Sequence, residues 1–200
     1  MPNDHSPCFT RAIELFDAAN AQDPNLDEGQ PRELVYGRRM SEMLARFAPA
    51  APEAVQLAVR AQHIRRWTVP RDSYPMDRNG YLQWRTGLYK FHAETAGGLM
   101  AEAGCDAGLI ERVQNAIAKK GIKVNPEAQM LEDTADLVFI EHYMLAFAGK
   151  NQDYSEDKWL DIIRKTWKKM SEDARQFAVS GGIRLPEPLL PLILKAIAAA

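Results

Sequence analysis

The chain has 200 residues, with 25 Lys and Arg against 27 Asp and Glu, and 46% of it is apolar. That is long enough to bury a core of its own and too apolar for a disordered chain. The formal charge of −2 excludes a surface that is basic throughout, as coating nucleic acid or an anionic membrane would require, but leaves room for a local basic site.

The N-terminal stretch MPNDHSPCFTRAIELF lacks the basic start and apolar run of a secretory signal, and it includes His5 in a polar terminus expected to be disordered. Cys8 and Cys105 are far apart and form no CxxC pair. They read as two unpaired thiols, which suits a reducing, cytoplasmic setting.

Apolar residues recur with helical spacing nearly throughout. A first helix is expected over Thr10–Asn20, followed by a polar, turn-rich loop at Ala21–Gln30. Pro31 suits the first turn of a second helix reaching Phe47. Pro52 starts a third, with Val55, Leu57, Val59 and Ile64 on its apolar side. The segment Trp67–Gly80, WTVPRDSYPMDRNG, reads as a long irregular loop, of a kind that often carries function.

Helices are then expected over Tyr81–Ala103, over Asp106–Lys120 with Asp106 as cap and Gly121 as stop, and over Pro126–Phe147. Ser155 opens another to Met170, SED at 171–173 caps a short one, and the last follows Pro186-Glu187-Pro188. No strand pattern stands out. The expected fold is a single all-α domain over 1–200, a bundle of about seven to nine helices with a core over about 8–150 and the C-terminal helices of about 155–199 packed on it. The apolar tail from Leu189 is short and broken by Lys195, so no membrane span is expected. Its leucines offer either closure of the domain's own core or a docking face for a second copy in a homodimer.

Chemistry concentrates in two oppositely charged segments. Residues 60–90 carry Arg60, Arg65, Arg66, Arg71, Arg78, Arg85 and Lys90 against Asp72 and Asp77, a net +5. Residues 126–141 carry five acids and no Lys or Arg, a net −5. Arginine forks suit phosphate, and Trp67 adds a ring surface, so Arg60, Arg65, Arg66, Arg71 and Trp67 form the candidate substrate-binding set. Asp133 and Asp136 lie one turn apart on a face shared with Leu137 and Ile140, where a carboxylate needs a partner. Imidazoles from two helices, His63 and His92, plus a carboxylate from a third can hold a divalent ion inside a bundle. The structural alternative makes the histidines buried hydrogen-bonding residues and pairs the aspartates with arginines. His142 falls on the opposite side of its helix from Asp133 and reads as a structural or surface residue. Whether the two charged segments neutralise each other directly or face each other across a ligand decides function.

FDAANAQDPN, ELVYGRRM, AQHIRRWTVPRDSYPMDRNGYLQWR and LEDTADLVFIEHY, in that order, resemble the family labelled domain of unknown function 4202 over most of the chain. More remotely, FHAETAGGLMAEAGCDAGLIERVQNAIAKKG followed by PEAQMLEDTADL resembles the second half of a metal-dependent HD phosphohydrolase. That resemblance implies an HD-domain-like bundle with one divalent metal ion on His63, His92 and Asp133. Glu132 or Asp136 would orient a ligand or act as base, and a small phosphorylated or nucleotide substrate would sit on the arginines. Ile64 stands where the HD aspartate belongs, Tyr36 lies near the missing first histidine, and Lys119-Lys120 replace another. A binuclear site is therefore not expected. The other expectation is a non-catalytic phosphate- or nucleotide-binding or interaction module that keeps the fold but not the metal chemistry, with nucleic acid disfavoured as a partner.

Overall fold

The computed structural model describes residues 5–122 and 124–198. Ten α-helices build the domain: α1 (Phe9–Asn20), α2 (Arg32–Phe47), α3 (Glu53–Ala61), α4 (Arg78–Glu102), α5 (Ala107–Ile117), α6 (Pro126–Val138), α7 (Met144–Lys150), α8 (Glu156–Lys169), α9 (Glu172–Phe177) and α10 (Leu190–Ile197). That is one more than expected among the described residues. The surplus comes from a π turn at Phe139–Tyr143, which splits the predicted 126–147 helix into α6 and α7.

The caps follow the sequence. Asp106 Oδ1 accepts from Leu109 N (3.0 Å), Asn125 Oδ1 from Glu127 N (3.0 Å), Ser155 Oγ from Lys158 N (3.3 Å) and Ser171 Oγ from Ala174 N (3.2 Å). Each satisfies a helix N–H that has no partner inside the helix. Helix α4 starts earlier than expected, because Asp77 Oδ1 accepts from Gly80 N at 2.7 Å. A Cβ at Gly80 would lie 2.0 Å from the Pro75 carbonyl oxygen, so only glycine lets this turn close. The rest of the predicted loop is pinned by two 3-10 turns, Arg66–Thr68 and Arg71–Ser73.

Two short strands interrupt the all-helical pattern. β1 (Leu26–Asp27) pairs antiparallel with β2 (Gln30–Pro31), joined through Glu28 and Gly29, both at positive φ. A two-residue turn with both φ positive matches hairpin twist. Strands of two residues are too short to show any alternation in sequence. Asp27 and Glu28 both pair with Arg39 of α2, at 2.7 and 2.8 Å.

Helix α3 is the centre of the bundle. Ala54, Val55, Leu57, Ala58, Val59 and Ala61 are wholly buried, and α1, α2, α5 and α6 pack around them. α4 lies on α5, where a Cβ at Gly97 would fall 2.2 Å from Gln114 Nε2, so Gly97 serves close helix packing. α8 packs on α6 and α10, and Met170, Ala174, Ile183, Ile193 and Ala196 join the same buried cluster as the N-terminal helices. Among the described residues no single helix is long and apolar enough to cross a membrane.

The cysteines correct the sequence reading. α4 ends in a Schellman turn, with Gly104 at φ 82° and Cys105 N donating to Met100 O at 3.0 Å. The turn delivers Cys105 to the start of α1, where it forms a disulfide with Cys8 across 97 residues. The premise of two unpaired thiols, on which the reducing-compartment expectation rested, does not hold. His5 is also placed: it stacks on Phe9 at 3.8 Å, and its Nε2 lies 3.1 Å from Gln56 Oε1.

Candidate functional site

A two-lobed cleft opens where the N-terminus of α2, the C-terminal end of α3, α4, α5, α6 and the end of α8 converge. The lobes measure about 370 and 430 Å³ and share Gln62, His63, Arg66, Arg85, Lys119 and Phe139. Cavities of a few hundred Å³ are the size of small-molecule sites.

Asn20, at the end of α1, fixes one wall. Its Oδ1 accepts from Arg65 N (3.0 Å), and its amide donates to Glu33 O (3.4 Å). Arg65 sits at φ 50°, a left-handed conformation that costs a side-chain-bearing residue roughly 1 kcal/mol or more. That turn sends Arg66 into the cleft, where its guanidinium lies over Trp84 at 4.8 Å. Lys119, just past the C-terminus of α5, is also left-handed at φ 54° and points to Glu132. Gly121 was the expected stop; the bend comes two residues earlier, at a lysine that the cleft uses.

The first lobe is rich in charged side chains. Glu132 pairs with Lys119 and, at 3.5 Å, with Lys169. Burial works against the charge of Glu132, but Lys119, Lys169 and Arg85 outweigh it and hold its pKa below the usual range. Asp136 lies 3.9 Å from Lys169, yet burial and then the neighbouring Glu132 push it up to about 7. Lys169 is partly exposed, so its charge is screened, and Asp136 Oδ2 is buried with no partner among the described residues. Glu33, in the first turn of α2, is likewise pushed by burial to about 7, and its Oε2 lies 3.3 Å from His63 Nδ1. Tyr36 stacks on His63 at 4.1 Å and donates to Gln62 Oε1 at 2.6 Å. The π turn brings Phe139 and Tyr143 to the cleft wall, and Tyr143 Oη accepts from Arg39 at 3.0 Å.

Against these carboxyls stand five cations: Arg32, Arg66, Arg85, Lys119 and Lys169. The two lysines are engaged with Glu132. Among the described residues Arg32, Arg66 and Arg85 have no carboxylate partner, whereas Arg39, Arg46, Arg60 and Arg112 all do. The basic and acidic segments meet here. Arg66 and Arg85 face Glu132 and Asp136 across the cleft, and no cation of 60–90 pairs with a carboxylate of 126–141 among the described residues.

The cleft gathers part of the predicted site and leaves part outside. His63 and His92 come together, with ring centroids 5.9 Å apart, and Glu132 and Asp136 line the wall. Asp133 does not join them. Its Oδ1 accepts from Ser171 N (2.7 Å) and Gln129 Nε2 (2.9 Å), so it fastens the start of α9 to α6. His92 Nδ1 is held 2.9 Å from the Ile64 carbonyl oxygen. Among the described residues no group of three or more His, Cys, Asp or Glu side chains is arranged to hold a metal ion. The donors therefore do not fit the metal that the HD resemblance implies.

Four of the five predicted ligand-binding residues are elsewhere. Arg60 is locked in a bidentate pair with Asp17 (2.7 and 2.6 Å). Arg65 is exposed and contributes its backbone. Arg71 donates to the Tyr74 and Asp77 carbonyls (both 3.1 Å) and so pins the loop. Trp67 lines neither lobe. Only Arg66 reaches the cleft. The sequence reading missed Arg32, Glu33, Tyr36, Lys119 and Lys169 as site residues, and passed over Arg85 although it stood in the basic segment. For the cations the one available signal was charge: five acids in 126–141 needed partners, and Lys119 and Lys169 supply them from helix ends remote in sequence.

Fold and cleft together define a helical protein with a partly enclosed, cation-rich cleft. The family model described as Domain of unknown function (DUF4202) matches residues 10–193, and the chain belongs to that family. No curated protein and no solved structure matches the chain.

Proposed function

We propose that this protein binds a small phosphorylated ligand in the cleft, without a metal ion. The observation that carries the reading is the convergence of Arg32, Arg66 and Arg85, none with a carboxylate partner among the described residues, on one partly enclosed pocket. Guanidinium forks match phosphate oxygens in pairs. Burial keeps Asp136 and Glu33 only partly ionised near neutral pH, which lowers the repulsion an incoming anion meets. Thermal melts in EDTA test this with ribose 5-phosphate as probe. The wild type should melt several degrees higher with millimolar probe, and Arg66→Ala and Arg85→Ala should lose that shift while melting normally without it. A probe that never raises the melting temperature of the wild type overturns the reading.

A second reading, hydrolysis of the same ligand, is favoured by Asp136. A carboxyl pushed to about 7 beside a cation cluster can hand its proton to the leaving oxygen while water attacks phosphorus. The P–O bond to the leaving group breaks, the leaving oxygen departs as an alcohol, the proton given up by the water restores the Asp136 carboxyl, and free phosphate is released. Phosphate release in EDTA that Asp136→Asn abolishes supports this reading; ligand binding without any phosphate release removes it.

A further inference from the structure

Tyr81, Trp84, Tyr89 and Phe139 give the second lobe an aromatic lining, and His92 reaches it from the inner side of α4. Trp84 is held in place by its Nε1, which donates to Val69 O at 2.9 Å. His92 is only 3% exposed. Its Nδ1 sits 2.9 Å from the Ile64 carbonyl oxygen, and a carbonyl oxygen can only accept. Nδ1 therefore carries the ring proton, and Nε2 presents a bare lone pair. Burial and the neighbouring His63 keep the ring neutral, with its pKa pushed down to about 3.

Nε2 is buried and has no hydrogen-bond partner among the described residues. A buried acceptor left unpaired is costly, and such a group calls for an explanation. It is the one unpartnered buried polar atom on this lobe among the described residues, and it asks for a donor.

Building on the phosphate-binding reading of the first lobe, we infer that the second lobe binds adenine, whose amino group donates to His92 Nε2, so that the ligand of the whole cleft is an adenine nucleotide with its phosphate at Arg66 and Arg85. The aromatic lining suits the flat faces of a purine. Arg66 and Arg85 line both lobes, which places the phosphate at their junction. Adenine is selected over the other common bases because it brings an N–H donor and no carbonyl. Its amino group meets the bare Nε2, and its ring adds no carbonyl oxygen that has to be desolvated.

Calorimetric titrations in EDTA with three probes test this: ribose 5-phosphate, adenosine monophosphate, and purine riboside monophosphate, which lacks only the 6-amino group. Adenosine monophosphate should bind roughly tenfold more tightly than purine riboside monophosphate, as expected for one hydrogen bond to a buried acceptor. Both should bind more tightly than ribose 5-phosphate, and His92→Phe should bring the two nucleotides level. Equal affinity of the two nucleotides for the wild type overturns the assignment, and it does so whether or not the His92 variant folds. Ribose 5-phosphate binding as well as the nucleotides overturns adenine recognition while leaving the phosphate site intact. Failure of all three probes to bind overturns the phosphate site as well.

Discussion

Asp136→Asn should make the protein more stable as pH rises, relative to the wild type. Asp136 is 8% exposed, its Oδ2 has no partner among the described residues, and burial together with Glu132 lifts its pKa to about 7 from an ordinary 3.8. A carboxyl raised on folding binds more protons in the folded than in the unfolded state between those two values. Its contribution to stability is therefore fully present below about pH 4 and lost progressively up to about pH 7. The loss saturates at about 4 kcal/mol as an upper bound, of which about 1.5 kcal/mol is already gone at pH 5. Asparagine has no charge to desolvate, so whatever its own burial costs does not change with pH. Glu33 titrates in the same range in both proteins, and its effect cancels in the difference. Urea unfolding of both proteins in EDTA, at about pH 5 and about pH 8.5, should move the stability difference toward the variant by roughly 2–3 kcal/mol. A difference that is constant with pH, or that moves toward the wild type, refutes the claim that Asp136 is a desolvated carboxyl held against its preference.

Three further substitutions probe the scaffold. Cys105→Ser opens the covalent loop to Cys8, which spans 97 residues, and chain entropy sets the loss at up to about 4–5 kcal/mol; urea unfolding with and without reductant should show the loss, and reductant should leave the variant unchanged. Asp133→Ala removes the acceptor of Ser171 N and Gln129 Nε2 and should cost roughly 2–3 kcal/mol in the same assay, with hydrogen exchange rising in α9 and ligand affinity unchanged. Gly97→Ala pushes the Gln114 amide off the Ala93 carbonyl oxygen but gains about 1 kcal/mol of helix propensity, so the two roughly offset and the melting temperature should change by no more than a few degrees.

Much of this architecture was legible because its signals are local. Asp106, Ser155 and Ser171 cap the helices they precede, Pro126 opens α6, and the apolar positions of α3 are wholly buried. The site was half legible for the same reason. Counting around a helix correctly puts Asp133 and Asp136 on one face, but about 60° still separates them. That angle is enough to send Asp136 to the cleft and Asp133 to the first turn of α9. Facing partners depend on packing and leave no trace in spacing. Lys119 and Lys169 meet at Glu132 from the ends of α5 and α8, and Cys8 meets Cys105 only because Gly104 bends the chain. Arg60 illustrates the converse. It carries the right chemistry in the right segment, yet Asp17 of α1 accepts from its Nε and Nη2 and Ser41 from its Nη1 before any ligand could.

Calorimetric titration of the wild-type protein with ribose 5-phosphate in EDTA, at low and at high salt, tests the central claim most directly. Saturable binding at one site that persists in EDTA, weakens as salt rises and disappears in Arg66→Ala is the expected result. No binding in EDTA, with binding restored by a divalent ion, would contradict a cleft that recognises phosphate through its arginines alone.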